Sequence, residues 1–386
     1  MVEANLIATL TRPPSSDGEE LLKLVSMVEF IEVRADLTGW IEPDWLRDRV
    51  QRRLIYSLRS LAEGGNFDGP NSERHRSLIR ASRAYDFIEV EAHRDFDPDL
   101  LTEIPVDKRI ISAHFVHPAE IESEFERLSS FEACYYRLVS RANCAADGLA
   151  PLQLLKSLAR SDVVAYAGGQ VGLWSRLIAP RLGAPLVFGL AGEIDPYDGE
   201  PSVERLVADY GLPALPPLEE MYGIVGNPVL HSLSPRLHNA AYRALARPAL
   251  FLPFQAESFD DFWRDLAGCQ ALEPLGVSIK GLTVVSPHKE VALELAGAST
   301  PMVRRAGSTN IFLRNNGHWK ADTTDPQGVS SAVRRRGITL KGRRAAVVGC
   351  GGAGRAVAAA SVAALLGVVL QGRLQRLAGC EIFINE

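Results

Sequence analysis

The chain has 386 residues, of which 46% are hydrophobic and 23% are charged, as in an ordinary globular protein, so two or three domains with separate cores are expected. The net charge of −5 and the lack of a lysine-rich stretch argue against nucleic acid as a partner and favour small-molecule substrates. No apolar run approaches the length of a membrane span, and the five scattered cysteines contain no C-x-x-C pair. We therefore expect a cytoplasmic protein without membrane attachment and without a bound metal.

Short apolar, β-prone runs alternate with amphipathic stretches over the first half of the chain. There are eight such runs, at residues 6–10, 30–34, 54–58, 87–91, 110–114, 135–139, 163–167 and 185–190. Residues 72–84 and 151–160 between them have the pattern of amphipathic helices. This alternation predicts a (β/α)₈ barrel, and a doubly wound sheet of similar length is the alternative. The proline-rich residues 211–217 then predict a domain joint.

Charged residues cluster at the C-terminal ends of these runs. They are Glu32, Arg34, Arg59, Glu63, Glu91, His114, Arg137 and Arg176. The active sites of such barrels lie on that rim, so these residues are candidates for a polar site, although rim charges are also often merely solvated.

The sequence around these charges resembles type I 3-dehydroquinate dehydratase over residues 5 to about 205. The matching pieces are E-V-R-A-D from residue 32, R-S-L-A-E-G-G from residue 59, F-I-E-V-E from residue 87, S-A-H-F from residue 112 and S-R-L from residue 175. The resemblance implies that His114 transfers protons, with Glu63 as its carboxylate partner. It also implies a substrate clamp, which consists of Glu32, Arg34, Arg59 and Arg176.

The match fails at the nucleophile of that family, a lysine of the sixth strand that forms an imine with the substrate ketone. Arg137 occupies this position, and a guanidinium stays protonated, so it cannot supply the neutral amine that attacks a carbonyl. The other lysines of the predicted barrel, Lys23, Lys108 and Lys156, precede a strand or lie on helix-like stretches. We therefore expect the barrel to have lost imine-based dehydration, or to bind a quinate-like acid without turnover.

Five polar blocks follow the joint. They read Y-G-I-V-G-N-P from residue 222, H-S-L-S-P from residue 231, S-P-H-K-E from residue 286, G-S-T-N from residue 307 and D-T-T-D from residue 322. Lys289 and Asp325 in these blocks can share a proton with a substrate hydroxyl while hydride moves at carbon. Ser232, Ser234 and Asn310 offer hydroxyl and amide groups to a polyhydroxy acid. Such residues also serve turns, and Ser234 suits a helix N-cap.

A strand, a glycine loop and an alanine-rich helix are predicted near the end of the chain. Apolar residues 345–348 precede G-C-G-G-A-G-R at residues 349–355, a dinucleotide-binding fingerprint in its required setting, with a plain glycine turn as the alternative. The residues expected at the phosphates are Gly349, Gly351, Gly352, Ala353, Gly354 and Arg355. About twenty positions on, Arg373 stands where an NAD site usually has an acid, which favours NADP. Residues 381–386 are expected to add a further strand to this parallel sheet.

The five blocks, in this order ahead of the glycine loop, resemble shikimate dehydrogenase over residues 221 to about 375. The resemblance implies NADP-dependent interconversion of 3-dehydroshikimate and shikimate, with Lys289 and Asp325 as the catalytic pair. It places Ser232, Ser234 and Asn310 on the substrate. The chain departs from that family at Val285, where a threonine is usual, and in its short nucleotide region.

We therefore predict three domains. They are a dehydratase-like (β/α)₈ barrel at residues 1–212, an α/β substrate-binding domain at residues 219–335 and an incomplete Rossmann-type NADP domain at residues 336–386. Two other interpretations stay open. One is a truncated, non-catalytic remnant that binds a ligand or a partner subunit, and the other is a quinate/shikimate dehydrogenase.

Overall fold

The computed structural model of the chain describes residues 4–192, 200–339, 344–349, 351–361, 367–371 and 381–385. By their internal contacts these residues form two units. The first contains Met1–Glu219, Leu230–Pro253 and Ala271–Val277, and the second contains Glu220–Val229, Phe254–Gln270 and Ser278–Glu386. Within the described residues, every helix is too short or too polar to cross a bilayer.

The eight apolar runs of the first half form eight neighbouring strands. These are β1 (Asn5–Leu10), β2 (Phe30–Arg34), β3 (Arg53–Ser57), β4 (Phe87–Glu91), β5 (Arg109–Val116), β6 (Tyr135–Ser140), β7 (Val163–Ala167) and β8 (Leu186–Leu190). Their order is β7-β6-β5-β4-β3-β2-β1-β8, and each ladder between neighbours is parallel. Because β1 pairs with both β2 and β8, the sheet curves into a nearly closed barrel, which confirms the predicted barrel over the doubly wound sheet.

Helices follow the strands on the outside of the barrel, as the parallel order requires. They are α1 (Glu19–Leu22), α2 (Ala35–Thr38), α3 (Pro43–Val50), α4 (Asn71–Ser82), α5 (Pro98–Glu103), α6 (Ile121–Ser129), α7 (Leu149–Leu158), α8 (Gly169–Ile178) and α9 (Val203–Arg205). Helices α4 and α7 are the two amphipathic stretches predicted from the sequence. The start of α5 is fixed locally, because the Asp97 side chain accepts hydrogen bonds from the N–H groups of Asp99 and Leu100.

The inward-facing positions of the barrel form two layers. The lower layer is apolar and includes Ile7, Phe30, Ile55, Phe87, Ile110 and Leu186. Side chains two positions apart on a strand share a face, so the next inward residues belong to one layer above it. This second layer, called here the polar layer, consists of the buried residues Thr9, Glu32, Ser57, Glu89 and Arg137.

The strands after the joint form a six-stranded mixed sheet. They are β9 (Glu220–Gly226), β10 (Ala249–Gln255), β11 (Ile279–Val284), β12 (Ala298–Ser299), β13 (Ile311–Asn315) and β14 (His318–Asp322), in the order β10-β9-β11-β13-β14-β12. The helices are α10 (Ser234–Ala244), α11 (Phe259–Phe262), α12 (Lys289–Glu294), α13 (Pro301–Ala306) and α14 (Asp325–Arg335). Helix α12 follows β11 and α14 follows β14, so Lys289 and Asp325 each stand just after a strand.

A three-stranded sheet ends the described chain. It contains β15 (Arg344–Val348), β16 (Gly367–Gln371) and β17 (Glu381–Asn385), with α15 (Gly352–Ser361) between the first two strands. Strand β16 is parallel to β15, but β17 is antiparallel to it, so the expectation of a third parallel strand is wrong. Only residues 372–380 separate β16 from β17, and a parallel crossover needs a dozen residues or more.

Candidate functional sites

Arg137 is the centre of the polar layer in the barrel. Its Nη1 donates to Glu32 Oε1 at 3.0 Å and to Glu89 Oε1 at 3.3 Å, and the guanidinium lies 3.5 Å from the centroid of the Phe188 ring. Arg59 Nη2 lies 3.3 Å from Glu89 Oε2 and 3.7 Å from Glu32 Oε1. Burial raises the pKa of Glu89, but Arg59 and Arg137 outweigh burial and hold that pKa well below its ordinary value. Two buried carboxylates therefore balance two buried guanidinium groups.

The polar layer contains residues that sequence reasoning did not select. Glu32 also accepts hydrogen bonds from Thr9 Oγ1 at 2.6 Å and from Ser57 Oγ at 2.8 Å. Glu89 was overlooked, although the alternation F-I-E-V-E puts it on the same inward face as Phe87. Glu91, which was selected as a rim charge, is instead buried at the end of β4 and accepts a hydrogen bond from the N–H of Ser60.

His114 and Glu63 form a second buried pair in the barrel. Glu63 Oε2 lies 2.8 Å from His114 Nδ1 and also accepts a hydrogen bond from the His114 backbone N–H. Burial and the nearby charge of Glu91 raise the pKa of Glu63 to about 8. Burial and the charges of Arg59 and Arg137 lower the pKa of His114 well below its ordinary value. At neutral pH the pair therefore consists of a protonated carboxyl and a neutral imidazole.

The Glu63 carboxyl makes the stability of the barrel depend on pH. Its pKa rises from 4.5 to about 8 on folding, so stability is fully present below pH 4.5 and is lost as the pH rises towards 8. We expect the free energy of unfolding of the wild type, relative to Glu63→Gln, to fall by about 4 kcal/mol between about pH 5 and about pH 9. Urea unfolding of the wild type and of Glu63→Gln across this pH range measures this difference. Both proteins contain His114, so its contribution is common to the two curves. A difference between the chains that does not change with pH would show that Glu63 does not titrate there.

The remaining arginines of the predicted clamp each have a carboxylate partner in the chain itself. Arg34 forms a two-point ion pair with Asp36, with contacts of 2.9 and 2.8 Å. Arg176 is buried, lies 4.5 Å from the centroid of the Tyr166 ring and donates to Glu200 Oε1 at 2.8 Å. Burial raises the pKa of Glu200, but Arg176 outweighs it and brings that pKa to about 2. Of residues 195–200, only Glu200 lies among the described residues.

The three lysines of the barrel lie away from the polar layer. Lys108 Nζ donates to the carbonyl oxygens of Ser82 and Tyr85, and Lys156 Nζ donates to the carbonyl oxygen of Pro274. Lys23 is exposed after α1. None of these three amines occupies the position that Arg137 takes on β6.

Lys289 and Asp325 meet in the second unit. Lys289 Nζ donates to Asp325 Oδ2 at 2.7 Å, and the two side chains are 17% and 23% exposed, so the couple is open to a small molecule. Asn310 Nδ2 donates to Asp325 Oδ1 at 2.7 Å. The Asn310 amide is itself oriented, because its Oδ1 accepts a hydrogen bond from the N–H of Thr324 at 3.0 Å. These contacts join three of the residues selected from the sequence.

Ser232 and Ser234 belong to the first unit and stand at the start of α10. Ser232 Oγ accepts a hydrogen bond from the N–H of Ser234 at 3.2 Å. The N-cap residue of α10 is Leu233, so the expectation that Ser234 caps this helix is wrong. Ser234 is the first residue of α10 and Pro235 the second, and the Ser234 N–H is bonded to Ser232 Oγ, which lies ahead of the helix.

The glycine loop connects β15 to α15 as predicted. Gly349 has a φ of 107°, which only glycine adopts readily, and a Cβ placed at Gly349 or Gly351 would meet no described residue within 4 Å apart from its chain neighbours. Arg355 Nη2 lies 3.1 Å from Glu290 Oε2. Ala353 and Gly354 lie in the first turn of α15. Arg373 lies outside the described residues.

An eight-stranded parallel barrel with a buried charged layer, followed by a mixed sheet and a glycine loop, places the chain among multidomain α/β enzymes. The family model for type I 3-dehydroquinase matches residues 7–213, and the model for the shikimate dehydrogenase substrate binding domain matches residues 224–312. The chain belongs to the type I 3-dehydroquinase family and carries a shikimate dehydrogenase substrate-binding domain after the barrel. Both predicted resemblances are thereby confirmed.

Individual relatives are similar to one or both halves. The shikimate dehydrogenase (NADP(+)) of Syntrophobacter fumaroxidans is 41% identical over 140 residues, which are 36% of this chain and 46% of that protein. The chloroplastic bifunctional 3-dehydroquinate dehydratase/shikimate dehydrogenase of Arabidopsis thaliana is 25% identical over 363 residues, with 85% of this chain and 58% of that protein covered. A solved structure of dehydroquinate dehydratase and shikimate dehydrogenase from S. pombe AroM is 20% identical, covers 96% of this chain and 74% of that chain, and has a TM-score of 0.44. The chain spans about half the length of the relatives that it matches by sequence.

Proposed function

We propose that the residues after the joint catalyse the NADP-dependent interconversion of 3-dehydroshikimate and shikimate. The 2.7 Å contact between Lys289 Nζ and Asp325 Oδ2 is the observation that carries this proposal. The match to the shikimate dehydrogenase substrate binding domain and the 41% identity to a shikimate dehydrogenase (NADP(+)) support it. Reduction of NADP by shikimate tests it directly.

The couple has the hydrogen bonds that a proton-transfer site needs. Each oxygen of Asp325 accepts from one donor, Lys289 at Oδ2 and Asn310 at Oδ1, so the carboxylate is fixed in direction. Lys289 then has further N–H groups to direct at a substrate hydroxyl. During oxidation the hydroxyl proton passes to the couple as hydride leaves the carbon, and during reduction the couple returns the proton to the ketone oxygen. We assign Ser232 and Ser234 to the substrate carboxylate.

The glycine loop fits a dinucleotide. Among the described residues, none but the chain neighbours lies within 4 Å of a Cβ placed at Gly349 or Gly351, and the loop leads into the first turn of α15, whose N–H groups suit a pyrophosphate. We propose that residues 349–355 hold NADP, which supplies the hydride acceptor. We also propose that the domains divide at residues 1–212, 219–335 and 336–386.

For the barrel we propose that imine-based dehydration of 3-dehydroquinate has been lost. The observation behind this proposal is that Arg137 fills the centre of the polar layer with a guanidinium bonded to Glu32 and Glu89. A guanidinium held between two carboxylates stays protonated and has no lone pair for a carbonyl. His114 and Glu63 then have no imine whose protons they could move.

Borohydride trapping tests the loss of imine formation. With 3-dehydroquinate and borohydride, we expect the mass of the wild-type chain to stay unchanged, because no amine lies in the polar layer. Arg137→Lys is the matched variant, since it restores an amine at that position, and an adduct on this variant alone would locate the block at Arg137. A reduced adduct on the wild-type barrel would refute the proposal.

A further inference from the structure

Gly352 is a glycine that the dinucleotide fingerprint does not require. The pattern G-x-G-x-x-G uses Gly349, Gly351 and Gly354, and Gly352 falls on one of its free positions. The structure nevertheless leaves no room for a side chain there. A Cβ at Gly352 would lie 2.9 Å from Lys289 Cβ and 3.0 Å from Lys289 Cδ, which is closer than carbon atoms pack.

Further contacts hold the glycine loop against the start of α12. Ser308 Oγ donates to the carbonyl oxygen of Gly352 at 2.9 Å, and a Cβ at Gly352 would lie 3.2 Å from Ser308 Cβ. The ion pair between Arg355 and Glu290 joins α15 to the residue that follows Lys289. Helix α15 also packs on α13 through a small buried cluster, which consists of Ala306, Ala356 and Ala359 with Met302 at its edge. The loop is therefore fixed beside Lys289 by a hydrogen bond, an ion pair and apolar packing.

We infer that Gly352 is a positioning residue for Lys289. The missing side chain lets the loop backbone close on the Lys289 stem, and that contact helps to direct Nζ at Asp325. The inference rests on the proposed role of the Lys289–Asp325 couple, and it makes the cofactor loop and the proton-transfer couple parts of one packed element. Gly352 would then serve the alignment of Lys289, whereas Gly351 serves the approach of the phosphates.

Alanine at position 352 cannot be accommodated by rotation of the lysine side chain. Lys289 Cβ is bonded directly to the α12 backbone, so either the loop or the start of α12 has to shift by a few tenths of an ångström. A shift of either element changes the 2.7 Å contact between Lys289 and Asp325. Alanine at position 351 meets none of the described residues beyond its chain neighbours, so it leaves this contact intact.

The experiment compares Gly352→Ala with Gly351→Ala. The first readout is the acetylation rate of Lys289 in the free protein, relative to that of exposed Lys320, measured by peptide mass spectrometry. Loss of the Asp325 contact exposes the amine, so we expect severalfold faster labelling in Gly352→Ala and an unchanged rate in Gly351→Ala. This readout needs no turnover, so it separates failure of the inference from failure of the proposed function.

Two further readouts use the dinucleotide and the substrate. We expect Gly352→Ala to lower kcat for shikimate, measured at saturating NADP, about tenfold. Gly351→Ala should weaken NADP binding, measured as the Kd by protein fluorescence. Ser308→Ala removes only the hydrogen bond to the Gly352 carbonyl, and it should increase the acetylation rate of Lys289 in the same direction but by less. This variant replaces Gly352→Ala in the experiment if Gly352→Ala does not fold. An unchanged Lys289 labelling rate in Gly352→Ala, or in Ser308→Ala where that variant has to serve, would overturn the inference.

Discussion

Replacing Lys289 with alanine is expected to lower the rate of shikimate oxidation by about a thousandfold. The variant loses the donor that lies 2.7 Å from Asp325 Oδ2, and with it the group that exchanges a proton with the substrate hydroxyl. The measurement is the initial rate of NADP reduction at saturating shikimate. The unfolding curve should remain close to that of the wild type, because the pair is partly exposed and such pairs contribute little to stability.

Lys320→Ala is the matched control for that experiment. Lys320 lies on β14 in the same unit and is exposed, so its loss removes the same charge without touching the couple. We expect the control to retain the wild-type rate. A Lys289→Ala chain that turns over as fast as Lys320→Ala would remove Lys289 from the mechanism.

Replacing Arg137 with methionine is expected to destabilise the barrel by about 3–5 kcal/mol. The change keeps much of the side-chain volume but leaves Glu32 and Glu89 with Arg59 as the nearest guanidinium. The variant has a surplus buried carboxylate. The loss of stability relative to the wild type should therefore become smaller as the pH falls and that carboxylate takes up a proton. Urea unfolding at neutral and acidic pH measures both effects.

Two control variants test why Arg137→Met is less stable than the wild type. Arg83→Met removes a guanidinium that is 75% exposed and should change the free energy of unfolding little. Adding Glu32→Gln to Arg137→Met removes the surplus charge and should recover part of the stability. A loss in Arg137→Met no larger than that in Arg83→Met would mean that Arg137 does not compensate the buried carboxylates.

The strands of the barrel could be predicted from the sequence because each run is short, apolar and bounded by polar residues. Strands β2, β4 and β7 have the predicted bounds of residues 30–34, 87–91 and 163–167. The ion pairs inside the barrel could not be predicted in the same way. Arg137 meets Glu32 across 105 positions of sequence, and only closure of the parallel sheet brings β2, β4 and β6 around one centre.

In the second unit, too, the residues of the site could be selected from the sequence, but their contacts could not be predicted from it. Lys289 and Asp325 were selected by motif, but their contact depends on the sheet that places the starts of α12 and α14 side by side. Gly352 was selected as part of a phosphate loop, and its packing against Lys289 follows from tertiary structure that the motif does not encode. The reversed direction of β17 follows from the length of residues 372–380, a signal that was present in the sequence.

The measurement that tests the central proposal most directly is the reduction of NADP by the purified chain with shikimate, with quinate and NAD as the comparison substrate and cofactor. The proposal predicts turnover with shikimate and NADP that Lys289→Ala loses. A folded chain that binds shikimate but reduces neither cofactor with either acid would contradict it, and the chain would then be a ligand-binding remnant of the dehydrogenase.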